Sequence, residues 1–109
     1  MRIFRFITTI ISSILMTSCI INPNKISIAY PNWAEGIAVT HLAREILVEQ
    51  GFQVELLNAD IAPIFTSLAR GKTDVFLDSW LPVTHKPYFE KYQGKFEILG
   101  QVFDSARIG

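Results

Sequence analysis

Hydrophobic and polar residues alternate along the chain with two different periods, which distinguish strands from helices. Ile26, Ile28 and Tyr30 occupy every second position, which predicts a strand that ends at Pro31. Over residues 35–50 the apolar residues recur at helical spacing instead. The stripe of this predicted helix consists of Val39, Leu42, Ala43, Ile46 and Leu47. Gly51 follows it and is typical of a helix C-terminus.

The next segments continue the alternation of strands and helices. Residues 52–58, "FQVELLN", predict a second strand. A short helix is predicted between Asp60, a candidate N-cap, and Gly71. Residues 73–80, "TDVFLDSW", predict a third strand, and their more uniformly apolar character indicates that this strand is more centrally buried.

The remaining residues predict less regular structure. A short helix or turn, broken near Pro87, is predicted over residues 84–93. Residues 96–109 have the pattern of one strand, a turn and the start of another strand. Because the final "ARIG" resembles the first half of a buried strand, we expect a sheet that is incomplete at the C-terminus and a chain that is a fragment or truncated product.

The element order β-α-β-α-β determines the predicted fold class. Strands that alternate with helices of this length predict an α/β fold whose mostly parallel sheet has helices on both faces. A chain of 109 residues is long enough for one small domain. The sequence therefore predicts a single α/β unit that contains no internal repeats.

The N-terminal residues have the layout of a secretory signal. Arg2 and Arg5 precede an apolar stretch, "FITTIISSILM", which is too short and too rich in Ser and Thr for a good membrane span. We predict a signal peptide over 1–18, a tether over 19–25 and a folded domain over 26–109. An N-terminal membrane anchor is the alternative interpretation of the apolar stretch.

Cys19 is the only cysteine, so it cannot form a disulfide within the chain. Small residues precede it, and "LMTSC" resembles the lipobox of bacterial lipoproteins, in which the cysteine is lipidated and becomes the new N-terminus. This resemblance implies a lipid anchor to a membrane. A free structural cysteine is the alternative.

Charge and motif content exclude several classes of function. Ten Lys and Arg balance ten Asp and Glu, so no basic excess indicates a nucleic-acid partner. The sequence contains no metal-ligand spacing, phosphate-binding loop or nucleophile motif. We therefore expect no catalytic residues, no metal and no cofactor.

Two tryptophans follow predicted strands at positions where α/β proteins bind ligands. Trp33 comes after the first strand and Trp80 after the third, so both lie at the carboxyl edge of a parallel sheet. Two indole faces over one cleft suit a quaternary ammonium group, which cannot donate hydrogen bonds. A helix that begins near Glu35 would present free N–H groups at Gly36 and Ile37 to a carboxylate on the same ligand.

Structural roles compete with each of these assignments. Both tryptophans can serve as hydrophobic lids, and Glu35 can be a first-turn carboxylate favoured by the helix dipole. Asp78 can cap the turn before Leu81 and Pro82, and His85 can brace a loop.

Three long segments resemble the glycine betaine-binding proteins of ABC importers. They are "KISIAYPNWAEGIAVTHLAREIL", "GFQVELLNADIAPIFTSLARGKTDVFLDSWLPVTH" and "FDSARIG". The resemblance implies that residues 26–109 are the first-lobe portion of a substrate-binding domain with a type II periplasmic-binding-protein fold. It also implies that Trp80 is a cage tryptophan, that Trp33 occupies a cage position of close relatives, and that Glu35 aligns with a position that faces the cation in choline binders.

The resemblance also implies a function and a location. We expect an exported protein of the periplasm or cell envelope that binds a quaternary ammonium osmoprotectant and delivers it to an ABC permease in the membrane. A choline or carnitine binder, a nonfunctional truncated remnant and a ligand-sensing regulatory domain are the alternatives. Family members are more than twice as long, so this chain is expected to supply half of a ligand clamp.

Overall fold

The computed structural model describes residues 22–107, which form three strands and three helices. The elements are β1 Lys25–Tyr30, α1 Ala34–Glu49, β2 Gln53–Asn58, α2 Ile61–Ala69, β3 Val75–Phe76 and α3 Lys86–Lys91. The predicted signal peptide 1–18, Cys19 and the last two residues of the predicted terminal strand lie outside the described residues. Between residues 22 and 107, no helix has both the length and the apolarity that a membrane span requires.

The three strands form a parallel sheet in the order β2-β1-β3. β1 pairs with β2 from Lys25 opposite Gln53 to Tyr30 opposite Asn58. Its other edge pairs with β3 only at Ile28 and Ala29. The predicted parallel α/β architecture is confirmed.

The position of the third strand differs from the prediction. β1 is the central strand, with Ile28 and Ala29 fully buried, whereas β3 is two residues long and lies at the edge of the described sheet. The apolar residues after Asp74 pack against an aromatic cluster rather than between two strands, as Phe76 shows by meeting Phe65 edge to face at 5.7 Å. The segment after Asp74 is therefore uniformly apolar because it contacts α2.

The connections place the two longer helices on opposite faces of the sheet. From β1 the chain moves across the sheet to β2 on one side. It then crosses back over β1 to form β3 on the other side. Because crossovers between parallel strands are right-handed, this reversal puts α1 on one face and α2 on the other. The reversal creates a switch point between the carboxyl ends of β1 and β3, where ligands bind in open α/β sheets.

The buried face of α1 differs from the predicted apolar stripe. Gly36 and Thr40 are its buried residues, whereas Leu42 and Ile46 of the stripe are 62% and 53% exposed. Small side chains at Gly36 and Thr40 allow the helix to approach the sheet closely. The larger apolar residues consequently lie on its flank.

The helix ends agree with the predictions more closely than the C-terminal segment does. Gly51 and Gly71 have φ of +92° and +69°, which are conformations that favour glycine. Asp60 occupies the N-cap position of α2, although its side chain makes no capping bond.

Two expectations for the C-terminal third are wrong. Pro87 lies in the first turn of α3, where proline is tolerated because its missing N–H would be unbonded there, and so it does not break the helix. Residues 96–107 contain no strand. Ile98 and Leu99 are exposed, and no neighbouring strand among the described residues pairs with this segment.

Candidate functional site

The candidate site lies at the switch point, where two loops follow the carboxyl ends of neighbouring strands. Trp33 lies three residues after the end of β1, and Trp80 lies four residues after the end of β3. Because β1 and β3 pair in parallel, both tryptophans are at the same edge of the sheet. His85 contacts both of them, and so links the two loops.

Trp33 begins α1 as its N-cap residue, with an extended backbone at φ −111° and ψ 147°. Its carbonyl accepts the Ile37 N–H at 2.9 Å, so the prediction that the Ile37 amide is free is wrong. The helix begins at Ala34, one residue earlier than predicted, and its first internal bond therefore moves to Ile37. Among residues 22–107, the amides of Glu35 and Gly36 have no acceptor.

The indole of Trp33 stacks on the ring of His85. The ring centroids are 5.9 Å apart and the planes are inclined by 26°. His85 is buried beneath the stack, while Trp33 is 38% exposed. One wall of the site is thus an indole ring that is supported from one side and partly open to solvent.

His85 also holds the Trp80 loop through two hydrogen bonds to the Trp80 backbone, one from its ring and one from its own backbone. The Trp80 N–H donates to His85 Nδ1 at 2.9 Å, and the His85 N–H donates to the Trp80 carbonyl at 2.9 Å. Burial lowers the pKa of His85, which keeps its ring neutral and Nδ1 available as an acceptor. The expectation that His85 braces a loop is confirmed.

Asp78 fixes the orientation of the Trp80 ring. Trp80 Nε1 donates to Asp78 Oδ1 at 3.1 Å, and this bond replaces the turn-capping role considered for Asp78. The carboxyl is only 5% exposed, and Oδ2 has no hydrogen-bond partner among the described residues. A Cβ atom at Gly36 would lie 2.7 Å from Oδ2, so only glycine at the start of α1 leaves room for this carboxyl.

The pKa of Asp78 is raised to about 6, chiefly by burial and also by the nearby charge of Glu35, while the Trp80 bond opposes both effects. Neither carboxyl has a basic partner: the ion pairs of residues 22–107 are Lys25–Glu55, Arg44–Glu45 and Lys86–Glu90. The edge that carries both tryptophans therefore has two acidic groups without a compensating cation. Such a surface suits an organic cation.

The raised pKa predicts how the stability of the fold depends on pH. An acid whose pKa is higher in the folded state loses stability as pH rises from about 3.8 through about 6. Asp78→Asn cannot ionise but keeps an acceptor for Trp80. We expect the variant to be more stable than the wild type above pH 6, by up to about 3 kcal/mol, because each pKa unit corresponds to about 1.4 kcal/mol.

Urea denaturation of the full chain at about pH 4 and about pH 8 measures this difference. The advantage of Asp78→Asn should nearly vanish at the lower pH, where Asp78 is protonated in the folded state and only about half ionised in the unfolded state. A destabilisation by Asp78→Asn that is equal at both pH values would contradict the assignment.

Sequence reasoning did not assign a site role to Asp78 or His85. The spacing of Asp78 and Trp80, two residues apart after a strand, was a usable signal for the indole bond. No local pattern indicates that His85 stacks on Trp33, since 52 positions separate them and only the tertiary fold brings them together. A surface groove on α2, around Pro63, Thr66 and Arg70, shares no residue with this site.

No feature of the described residues suits a metal. Within residues 22–107, no three His, Cys, Asp or Glu side chains lie close enough together to hold a metal ion. The site consists of two indole rings, two carboxyl groups and two unbonded amides at a helix start. This arrangement can bind a cation and an anion side by side, since aromatic faces attract the former and helix N-termini the latter.

Comparisons with known proteins place the chain among transport proteins. Residues 24–109 match the family described as the substrate binding domain of the ABC-type glycine betaine transport system. The glycine betaine/carnitine transport binding protein GbuC of Listeria monocytogenes is 33% identical over 89 residues, which are 82% of this chain and 30% of GbuC.

Two solved structures are similar to the fold. Lactococcal OpuAC, in its closed, liganded conformation with glycine betaine, superposes with a TM-score of 0.68 at 31% identity, over 71% of this chain and 30% of OpuAC. The glycine/betaine/L-proline-binding protein ProX of Borrelia burgdorferi has a TM-score of 0.61 at 29% identity, over 62% of this chain and 26% of ProX. The chain spans about a third of the length of these relatives.

Proposed function

The chain belongs to the family of substrate binding domains of ABC-type glycine betaine transport systems, and we propose that it forms one wall of a binding protein for glycine betaine or a similar quaternary ammonium compound. The family is a transport family and not an enzyme family. In this proposal the protein captures its ligand without covalent chemistry and delivers it to a permease in the membrane.

One observation carries the proposal: two tryptophans lie at one sheet edge and share His85 as their support. Each desolvated indole face contributes on the order of 2 kcal/mol to the binding of a quaternary ammonium. The unpaired carboxyls of Glu35 and Asp78 lie at the same edge and add a negative potential. Trp33 and Trp80 are therefore our candidates for the cation-binding walls.

The start of α1 is our candidate for the carboxylate end of the ligand. The unbonded amides of Glu35 and Gly36 lie where the positive end of the helix dipole attracts an anion. Ile37 follows in the same turn, but its amide donates to the Trp33 carbonyl and so is not a candidate for the ligand carboxylate.

A single wall cannot enclose a ligand. Relatives more than twice as long supply further surfaces, so we expect residues 22–107 alone to bind glycine betaine only in the millimolar range, which corresponds to about −4 kcal/mol. A chimera in which residues 24–109 replace the matched segment of lactococcal OpuAC provides those surfaces. Calorimetric titration of the chimera with glycine betaine tests the proposed function, and an absence of binding by a folded chimera would contradict it.

A specific observation also favours choline as a second candidate ligand. Two carboxyls without a basic partner suit a ligand whose only charge is positive. Carnitine is a third candidate, because GbuC is described as a glycine betaine/carnitine transport binding protein. Competition of choline and carnitine against bound glycine betaine in the chimera ranks the three compounds, and tighter binding of choline would reassign the physiological ligand.

We further propose that the protein is exported and anchored by a lipid on Cys19, which a signal-like segment precedes. Cells that express the chain with a radioactive fatty acid should label the wild type and not Cys19→Ala. One acyl chain anchors weakly, so stable attachment requires more than one. Equal labelling of both proteins would rule out the lipid anchor.

A further inference from the structure

The bond between Asp78 and Trp80 joins a titratable group to a proposed ligand-binding ring. Oδ1 of Asp78 lies 3.1 Å from Trp80 Nε1, and the carboxyl is almost fully buried. A hydrogen bond to an ionised acceptor is stronger than one to a neutral acceptor, and it polarises the donor. An indole polarised in this way carries more negative charge on its π face, which is the face that attracts cations.

We propose that Asp78 is a positioning residue for cation binding: its ionised carboxylate orients the Trp80 indole and strengthens the attraction of that ring for a quaternary ammonium. The inference rests on the proposed function of Trp80 as a cation-binding wall. It assigns to Asp78 a role in affinity, in addition to its effect on the fold. The affinity for the cation therefore depends on the ionisation of Asp78.

The surroundings of Asp78 allow it to change charge without a competing partner. Glu35, from α1, is the charged group that acts on it, and no Lys or Arg among residues 22–107 forms an ion pair with either acid. Gly36 contributes only backbone on that side. His85, on the adjoining turn, is held neutral by burial and commits Nδ1 to the Trp80 amide.

The surroundings of Oδ2, the second carboxyl oxygen of Asp78, indicate that Asp78 does more than orient the Trp80 ring. Oδ2 is buried, has no partner among the described residues and lies against Gly36 at the start of α1. A buried oxygen without a hydrogen bond is costly to the fold, so its retention in the residue that holds the Trp80 ring indicates a site that a ligand completes. A cation at this edge would favour the ionised form of Asp78.

Indole NMR of the full chain tests the contact without any ligand. The chain has two tryptophans, so ¹⁵N labelling gives two indole N–H signals, which Trp33→Phe assigns. As pH rises from about 4 to about 8, the Trp80 signal should move with a midpoint near the pKa of about 6, reflecting a stronger bond to the ionised acceptor. Trp33, whose indole N–H bonds to no described group, is the internal control.

Two variants separate the effect of Asp78 ionisation on the Trp80 signal from the effect of a structural change. Asp78→Asn keeps an acceptor for the indole and should abolish the titration of the Trp80 signal. Glu35→Gln removes the neighbouring charge and should move the midpoint to lower pH, because that charge raises the pKa of Asp78. A Trp80 signal that titrates unchanged in Asp78→Asn, or that does not titrate in the wild type, would overturn the inference.

Affinity is then measured in the chimera with glycine betaine at about pH 8 and about pH 5. Wild-type binding should weaken by roughly fivefold to tenfold at the lower pH, whereas Asp78→Asn should bind weakly and equally at both values. Equal affinities of wild type and Asp78→Asn at both values would overturn the inference. Loss of all binding by the wild type would instead overturn the proposed function, and with it the link between Asp78 and cation affinity.

Discussion

Replacement of Trp80 by alanine should weaken the binding of glycine betaine to the chimera by about thirtyfold or more. The change removes one desolvated cation–π face, which is worth roughly 2 kcal/mol, and each 1.4 kcal/mol is about tenfold in dissociation constant. The two bonds between Trp80 and His85 involve the Trp80 backbone, so alanine preserves them. The loss of affinity therefore reports on the ring, and calorimetric titration measures it.

Two further variants are controls for this prediction. Trp80→Phe should lose less affinity, because a smaller π face remains. Trp33→Ala should lose affinity to a similar extent if that ring encloses the cation, and should lower only stability if the ring is a hydrophobic lid over His85. Unchanged affinity in Trp80→Ala would contradict the assignment of that ring to the ligand.

Gly36→Ala should disrupt both the fold and the ligand site. The added Cβ would lie 2.7 Å from Asp78 Oδ2, a distance that real Cβ contacts do not reach, so either the carboxyl or the helix must move. Asp78 cannot rotate away without losing the Trp80 indole bond. We expect destabilisation of about 1 to 3 kcal/mol, typical of overpacking, and a loss of affinity of at least about tenfold.

Urea denaturation and calorimetry of Gly36→Ala measure the two effects. Gly100→Ala is the matched control, because no atom lies within 4 Å of the position its Cβ would occupy. Asp78→Ala in the Gly36→Ala background removes the crowded carboxyl, so the two substitutions should destabilise less together than the sum of their separate effects. Additive effects would show that Gly36 and Asp78 are not in contact.

The fold and the position of the site can both be predicted from patterns in the sequence. Alternating and helical periods predicted the parallel β-α-β-α-β order, and parallel strands bring Trp33 and Trp80 to one edge. Both consequences depend only on strand direction and order along the chain. They do not require knowledge of any side-chain contact.

The sequence predictions are wrong where the structure depends on tertiary contacts or on the exact residue at which an element begins. Apolarity alone did not show that β1, rather than β3, is central, because apolar residues in and after β3 pack against α2. Helix starts are uncertain by a residue from sequence, and a shift of one residue changes which amides are free, as Ile37 shows. The bonds of Asp78 and His85 depend on burial of a loop, which has no periodic signature.

The central claim is that indole faces at this edge recognise a positive charge. The most direct test titrates the chimera with glycine betaine and with 3,3-dimethylbutanoate, which replaces the ammonium nitrogen by carbon and keeps the shape and the carboxylate. Glycine betaine should bind at least about tenfold more tightly, and this preference should shrink severalfold in Trp80→Ala, since the ring supplies part of the charge recognition. Equal affinities for the two ligands, or a preference that Trp80→Ala leaves unchanged, would contradict the account.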